Sequence, residues 1–253
     1  VPQPLPPAVD DAGQHPAVRS FKLRGRIRAG QQAALTDLWP RLGVDADGGP
    51  LDPVALFGRM APLVVEIGFG RGEAALAMAA ADPDRDLLAM DVHRAGAGML
   101  LRDAHDAGLT NVRVLVGDAV PVLRDRVAPG ALDEVRIFFP DPWPKARHHK
   151  RRLVTPDFVA LVASRLRPAG TDGPDDLGGR LHCATDWEPY AAQMLAAVEA
   201  EPLLRNGSDR SDGAGGSDGF VPRPSWRPLT RFESQGLAKG HVVRDLVAYR
   251  RAG

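Results

Sequence analysis

Short apolar runs alternate with helical patterns from Leu63 to Tyr249, and this alternation constrains the fold more than any other feature of the chain. Leu63-Val64-Val65-Glu66-Ile67 reads as a strand, Glu73 to Ala81 as a helix and Leu87 to Met90 as the next strand. Further strands are expected over Val112 to Val116, Val135 to Phe139, Leu181 to Ala184 and His241 to Tyr249. Helices are expected over Arg94 to Ala107, from Pro156 to Leu166 with Thr155 as N-cap, and over Trp187 to Ala200. Strands separated by helices need crossover connections, so the expected class is α/β. The expected architecture is a mostly parallel sheet with helices on both faces. Ligands in such sheets bind beyond the carboxyl ends of the strands.

The rest of the chain divides by composition. Residues 1–18 form a proline-rich tail expected to be disordered, and residues 19–53 a basic arm followed by a helix near Gln31 to Trp39. Residues 54–253 form the α/β domain, interrupted by Gly/Ser/Asp-rich stretches at 170–179 and 206–219 that read as flexible insertions. The 32 basic and 32 acidic residues cancel, so any affinity for nucleic acid must come from local patches. Arg19 to Arg28 is one such patch, with five basic residues in ten and no acid.

Glu66-Ile67-Gly68-Phe69-Gly70-Arg71-Gly72-Glu73 is a strand end, a glycine turn and a helix start. Gly68, Gly70 and Gly72 let the backbone turn and come close to a ligand. The dinucleotide fingerprint would need glycine where Glu73 stands, and a negative side chain at a helix start suits a pyrophosphate poorly. The pattern suits a phosphate-free nucleoside with a cationic centre, of which S-adenosylmethionine is an example. Asp91 ends the second strand, where a carboxylate can accept both ribose hydroxyls, and Asp118 ends the third, where an acid can accept from the adenine amino group. Each could instead cap a helix or form a turn.

A second motif follows the fourth strand: Phe138-Phe139-Pro140-Asp141-Pro142-Trp143-Pro144-Lys145, then Ala146-Arg147-His148-His149-Lys150-Arg151-Arg152. Prolines around Asp141 and Trp143 stiffen the loop, which joins a carboxylate, a flat aromatic and a dense cationic run at one strand end. An enzyme acting on a nucleic-acid base needs those three together. Trp143 could stack on a base or be packed inside. Arg147, Lys150 and Arg151 are candidate phosphate contacts. The adjacent His148 and His149 face different ways and lack suitably spaced partners, so no metal is expected. The lone Cys183 excludes a disulfide within the chain and reads as a small buried hydrophobe. No run is long and apolar enough for a bilayer and the N-terminus lacks the pattern of a secretory signal, so no membrane partner and a cytoplasmic location are expected. The sequence gives no oligomeric state.

Together these residues resemble the bacterial tRNA (guanine-N7-)-methyltransferases. The resemblance is carried by the glycine loop, by Asp91-Val92-His93-Arg94, and by the run from Phe138 to Arg152. It continues through Ala184-Thr185-Asp186-Trp187-Glu188-Pro189-Tyr190, Arg227-Pro228-Leu229-Thr230-Arg231-Phe232-Glu233 and Gly240-His241. It implies a class I S-adenosylmethionine-dependent methyltransferase, built on a Rossmann-like, mostly parallel, seven-stranded sheet with helices on both faces, that modifies a guanine of the tRNA variable loop. It further implies that Glu66, Asp91, Asp118 and Asp141 contact S-adenosylmethionine, with Asp141 also catalytic. Lys145, Asp186 and the run Thr230, Arg231, Phe232, Glu233 would contact the tRNA or its target base. Two departures are modest: Asp91 stands where the family usually has Glu, and Arg231 where Lys is common. From its position alone, Asp186 could orient a base or N-cap the helix that follows. Two other readings stay open on the residues, namely methylation of an exocyclic amine and a tRNA-binding partner that has lost catalysis.

Overall fold

The computed structural model describes residues 27–170, 176–209 and 218–253. The proline-rich tail, most of the basic arm, and the middles of both Gly/Ser/Asp stretches lie outside the described residues. The chain forms two compact units, one ending at Arg126 and the other beginning at Val127.

The first unit runs α1 (Ala29–Asp37), α2 (Trp39–Leu42), β1 (Gly43–Val44), α3 (Pro53–Phe57), β2 (Leu63–Ile67), α4 (Glu73–Ala81), β3 (Asp86–Asp91), α5 (Arg94–Asp106), β4 (Val112–Val116) and α6 (Ala119–Arg126). Its strands lie in the order β1-β4-β3-β2, each pair parallel. Every residue of β2 and β3 is buried, which explains why they read as largely apolar runs without alternation, apart from Glu66 in β2 and the two Asp that end β3. Leu87, Ala89, Val112 and Val114 of the sheet pack with Leu100, Leu101 and Ala104 of α5 and Leu35 of α1. Burying each large aliphatic side chain contributes about 1.5–3 kcal/mol. Gly98 makes the helix packing possible, because a Cβ there would lie 2.5 Å from the Gln31 carbonyl oxygen of α1. Buried Asn111 donates through Nδ2 to the carbonyl oxygens of Ala79, Asp82 and Arg85, which fixes the approach to β3.

The second unit runs β5 (Glu134–Phe138), a 3-10 turn (Ala146–Arg151), α7 (Pro156–Arg165), β6 (Arg180–Thr185), α8 (Glu188–Glu199), β7 (Leu204–Asn206), a short 3-10 turn (Gly207–Asp209), α9 (Arg231–Leu237) and β8 (Arg244–Arg250). β5 pairs with β6 in parallel, and β8 pairs antiparallel with both β6 and β7. Thr155 caps α7 as expected, accepting from the Phe158 amide, with Pro156 at the first helical position. Glu134 is buried on β5 between Arg136 and Arg180. Burial alone would raise its carboxyl, but the two guanidinium groups outweigh that and hold it well below the usual carboxylate range. Burial pushes the Cys183 thiol up to about 12, in line with an inert small hydrophobe.

The described residues hold eight strands rather than seven; β1 and β7, of two and three residues, are too short to show a pattern. β5 stops at Phe138, one residue early, and β8 starts at Arg244 rather than His241. Parts of both presumed insertions are folded. Asp176 binds the Arg167 guanidinium, and buried Asn206 donates to the Gly219 carbonyl oxygen at 2.9 Å. No helix among the described residues is long and apolar enough to cross a membrane.

Candidate functional site

In the first unit the glycine turn follows β2. Gly68, Gly70 and Gly72 all have positive φ (81°, 58° and 81°), the region in which other residues are strained. Asp91, the last residue of β3, closes this turn. Its Oδ2 accepts from the Gly70 amide at 2.8 Å and its Oδ1 from the His93 amide at 3.0 Å. Burial pushes the Asp91 carboxyl above its usual value, opposed by these amides. An ionised carboxylate has about four acceptor sites, so each oxygen keeps capacity for a ligand hydroxyl. Glu66 is 2% exposed on β2. Asp118 Oδ1 accepts from the Val120 amide at the start of α6, and the carboxylate keeps acceptor capacity for a ligand amino group. Glu73 is the first residue of α4, where it would repel a phosphate. The set of donors and acceptors fits a nucleoside without phosphates that carries positive charge.

One residue of this half escaped sequence reasoning. A Cβ on Gly96 would lie 1.9 Å from the Gly70 carbonyl oxygen, so only glycine lets α5 support the loop. The signal available was the run Ala95-Gly96-Ala97-Gly98, whose small residues mark close approach.

In the second unit the strand β5 ends abruptly. The Phe139 amide still donates to the Ala184 carbonyl oxygen at 2.7 Å, but Phe139 itself has φ 52°. Trp143 has φ 43°, so two strained residues bracket Pro140-Asp141-Pro142, at about 1–3 kcal/mol each. Their compensation is visible. Trp143 is 4% exposed, meets His148 edge-on at 5.7 Å and carries the Arg151 guanidinium 5.0 Å over its ring. It is a packed wall, and the stacking alternative is set aside. Arg152, buried, donates through Nε to the Pro142 carbonyl oxygen and through Nη1 to Gln193 Oε1, both at 2.8 Å. Its guanidinium lies 4.9 Å over Tyr190, whose hydroxyl accepts from the Val154 amide. The turn is therefore bolted to α8, with Asp141 half-buried within it.

The cationic run thus has two roles. Arg152 is interior, whereas Lys145, Arg147, Lys150 and Arg151 are exposed. Desolvation and the surrounding Arg147, Arg151, Lys145 and Lys150 push the His148 imidazole below its usual value, a sign of concentrated positive charge. No group of three or more metal-ligating side chains occurs among the described residues.

The run Thr230 to Glu233 begins α9. Thr230 is the N-cap and accepts from the Glu233 amide at 3.2 Å. Glu233 is buried and pairs in bidentate fashion with Arg227, at 2.6 and 2.8 Å. Arg227 also binds both oxygens of Asp245 on β8, whose Oδ1 accepts from His182 Nε2 at 2.8 Å. Burial opposes charge on Arg227, Asp245 and His182. Hydrogen bonds to Glu233 and Asp245 nevertheless raise Arg227, and those from His182 and Arg227 lower Asp245, so both stay ionised. Burial pushes His182 down, leaving it neutral. Arg231 and Phe232 face outward; Phe232 is 57% exposed, its ring 5.1 Å from that of Phe139.

Asp186 does not cap α8. The N-cap is Trp187, whose amide donates to Thr185 Oγ1, while Asp186 Oδ2 accepts from His241 Nδ1 at 2.8 Å.

Residues 60–246 match the family model described as a putative methyltransferase. The tRNA (guanine-N(7)-)-methyltransferase of Streptomyces avermitilis is 52% identical over 244 residues, which is 95% of this chain and 79% of that protein. The protein of the same name from an Acidovorax species is 47% identical over 254 residues, 97% of this chain and 94% of its own length. Among solved structures, the 16S rRNA methyltransferase KamB superposes with a TM-score of 0.51 at 15% identity, covering 78% of this chain and 91% of that one. That likeness is one of fold, the Rossmann-like fold of class I methyltransferases.

Proposed function

Because the chain belongs to the tRNA (guanine-N7-)-methyltransferase family, we propose that it transfers the methyl group of S-adenosylmethionine to N7 of a guanine in the tRNA variable loop. The observation that supports this most is the bolted turn, which presents Asp141 between two strained residues and continues directly into exposed cations.

Bound S-adenosylmethionine supplies an electrophilic methyl carbon on a sulfonium. Glu66, Asp91 and Asp118 hold its nucleoside, with the amides of Gly70 and His93 fixing the Asp91 carboxylate beforehand. Guanine N7 would accept that methyl through its own lone pair, with sulfur keeping the electrons of the bond it gives up. N7 carries no proton, so the chain needs no base to activate it. Its task is positioning and the exclusion of water. Asp141 accepts from the N1–H and N2–H edge and opposes the positive charge that develops on the ring. Of the run Thr230 to Glu233, Arg231 and Phe232 meet the RNA, while Thr230 and Glu233 hold α9. Lys145, Arg147, Lys150 and Arg151 bind phosphates.

A tRNA transcript whose variable-loop guanine is replaced by adenine should accept no methyl label. Undiminished incorporation would refute the assigned target. Alanine at Arg147, Lys150 and Arg151 together should weaken tRNA binding and reduce the slope of log affinity against log salt by about 2–3. An unchanged slope in filter binding would remove these residues from the interface. Gly96→Ala must displace the Gly70 carbonyl, and calorimetry should show S-adenosylmethionine affinity falling about tenfold or more. Wild-type affinity would mean that the loop is not held by this contact.

A further inference from the structure

We propose that His241 is a positioning residue that orients Asp186 for the target base, an inference that rests on the base-contacting role of Asp186. Asp186 follows β6 directly and its side chain is 21% exposed. A carboxylate oxygen only accepts, so the 2.8 Å contact with His241 fixes the proton on Nδ1, which donates to Asp186 Oδ2. Among the described residues nothing donates to the other oxygen, Oδ1. An aspartate at the surface samples several side-chain rotamers; holding one oxygen directs the second.

His241 is itself held. Its amide donates to the Gly236 carbonyl oxygen at 3.0 Å, and a Cβ on Gly236 would come within 3.5 Å of His241 Nδ1 and 3.7 Å of Asp186 Oδ2. Gly236 belongs to α9, the helix that carries Arg231 and Phe232. The end of that helix, the imidazole and the carboxylate therefore form one packed unit, and Asp186 is aligned with the proposed RNA contacts Arg231 and Phe232 before RNA arrives. Since His241 is 47% exposed and outside the core, its replacement should leave folding intact.

The test uses the full chain, unmodified tRNA transcript, and the variants Asp186→Ala, His241→Ala, His241→Asn and Asp186→Ala/His241→Ala. His241→Ala is expected to lower kcat/KM for tRNA about tenfold, with the KM for S-adenosylmethionine and the Tm unchanged. His241→Asn, whose side-chain amide can donate from nearly the same place as Nδ1, should restore most of the rate. The double variant should be no worse than Asp186→Ala alone, because the histidine acts only through the aspartate. A His241→Ala enzyme with wild-type kcat/KM beside an impaired Asp186→Ala enzyme would overturn the proposal while leaving the role of Asp186 standing. Equal losses in His241→Ala and His241→Asn, each with a lowered Tm, would show a structural role and overturn it too. If Asp186→Ala keeps full turnover, the base-contacting role falls and that of His241 with it.

Discussion

Asp141→Ala is expected to lower kcat about 10²–10³-fold at saturating S-adenosylmethionine and tRNA, the usual cost of removing a preorganised electrostatic contact from a developing charge. The fold should survive. Asp141 lies in a turn held by the Arg152 bond to the Pro142 carbonyl, by packing of the Trp143 side chain and by its flanking prolines. Asp141→Asn keeps the shape and loses the charge, so its rate should fall between those of the wild type and the alanine variant. Because N7 needs no proton removed, the pH profile of the residual activity should not lose a limb that a general base would provide. Single-turnover rates separate this loss from one of binding. If Asp141→Ala binds both ligands and turns over at the wild-type rate, the role assigned to Asp141 is wrong.

Arg227→Ala is expected to cost about 3–5 kcal/mol of stability, because it strands the carboxylates of Glu233 and Asp245 in the interior. Urea unfolding followed by far-UV circular dichroism measures this directly. Arg227→Lys should recover only part of the loss, since one ammonium cannot make the two bidentate contacts that the guanidinium makes. The fold holds Asp245 below its ordinary range. Its contribution is therefore complete at neutral pH and is lost as pH falls below about 4 and through the folded-state value. A loss below about 1 kcal/mol in Arg227→Ala would mean that the cluster relaxes or hydrates on losing its centre.

Much of the architecture was legible because its strands are buried on both faces. β2 and β3 carry largely apolar runs without alternation for that reason, and the glycine turn between β2 and α4 announces itself by spacing. Other elements gave no period to read. α6 contains Pro121, which is tolerated in its first turn but reads as a breaker, and α9 is short and mostly exposed. β5 loses Phe139 to a positive φ that no residue type would suggest.

At the site, residue types were legible and their division of labour was not. Arg152 belongs to a run of cations yet is buried, and its bonds to Pro142 and Gln193 and its place over Tyr190 set it apart from Arg151 beside it. Glu233 and Thr230 sit in a stretch expected to meet RNA, and the fold also gives both a part in holding α9. The partners that decide such roles, Arg227 for Glu233 and His241 for Asp186, are set by the tertiary fold rather than by local pattern.

The most direct test of the central claim is chemical mapping of the product. Unmodified tRNA transcript is incubated with the protein and S-adenosylmethionine, then treated to cleave the strand at N7-methylguanine. The expected result is a single protein-dependent break at a guanine of the variable loop, absent when S-adenosylmethionine is omitted. Methyl incorporation without such a break, or a break elsewhere in the tRNA, would contradict the account.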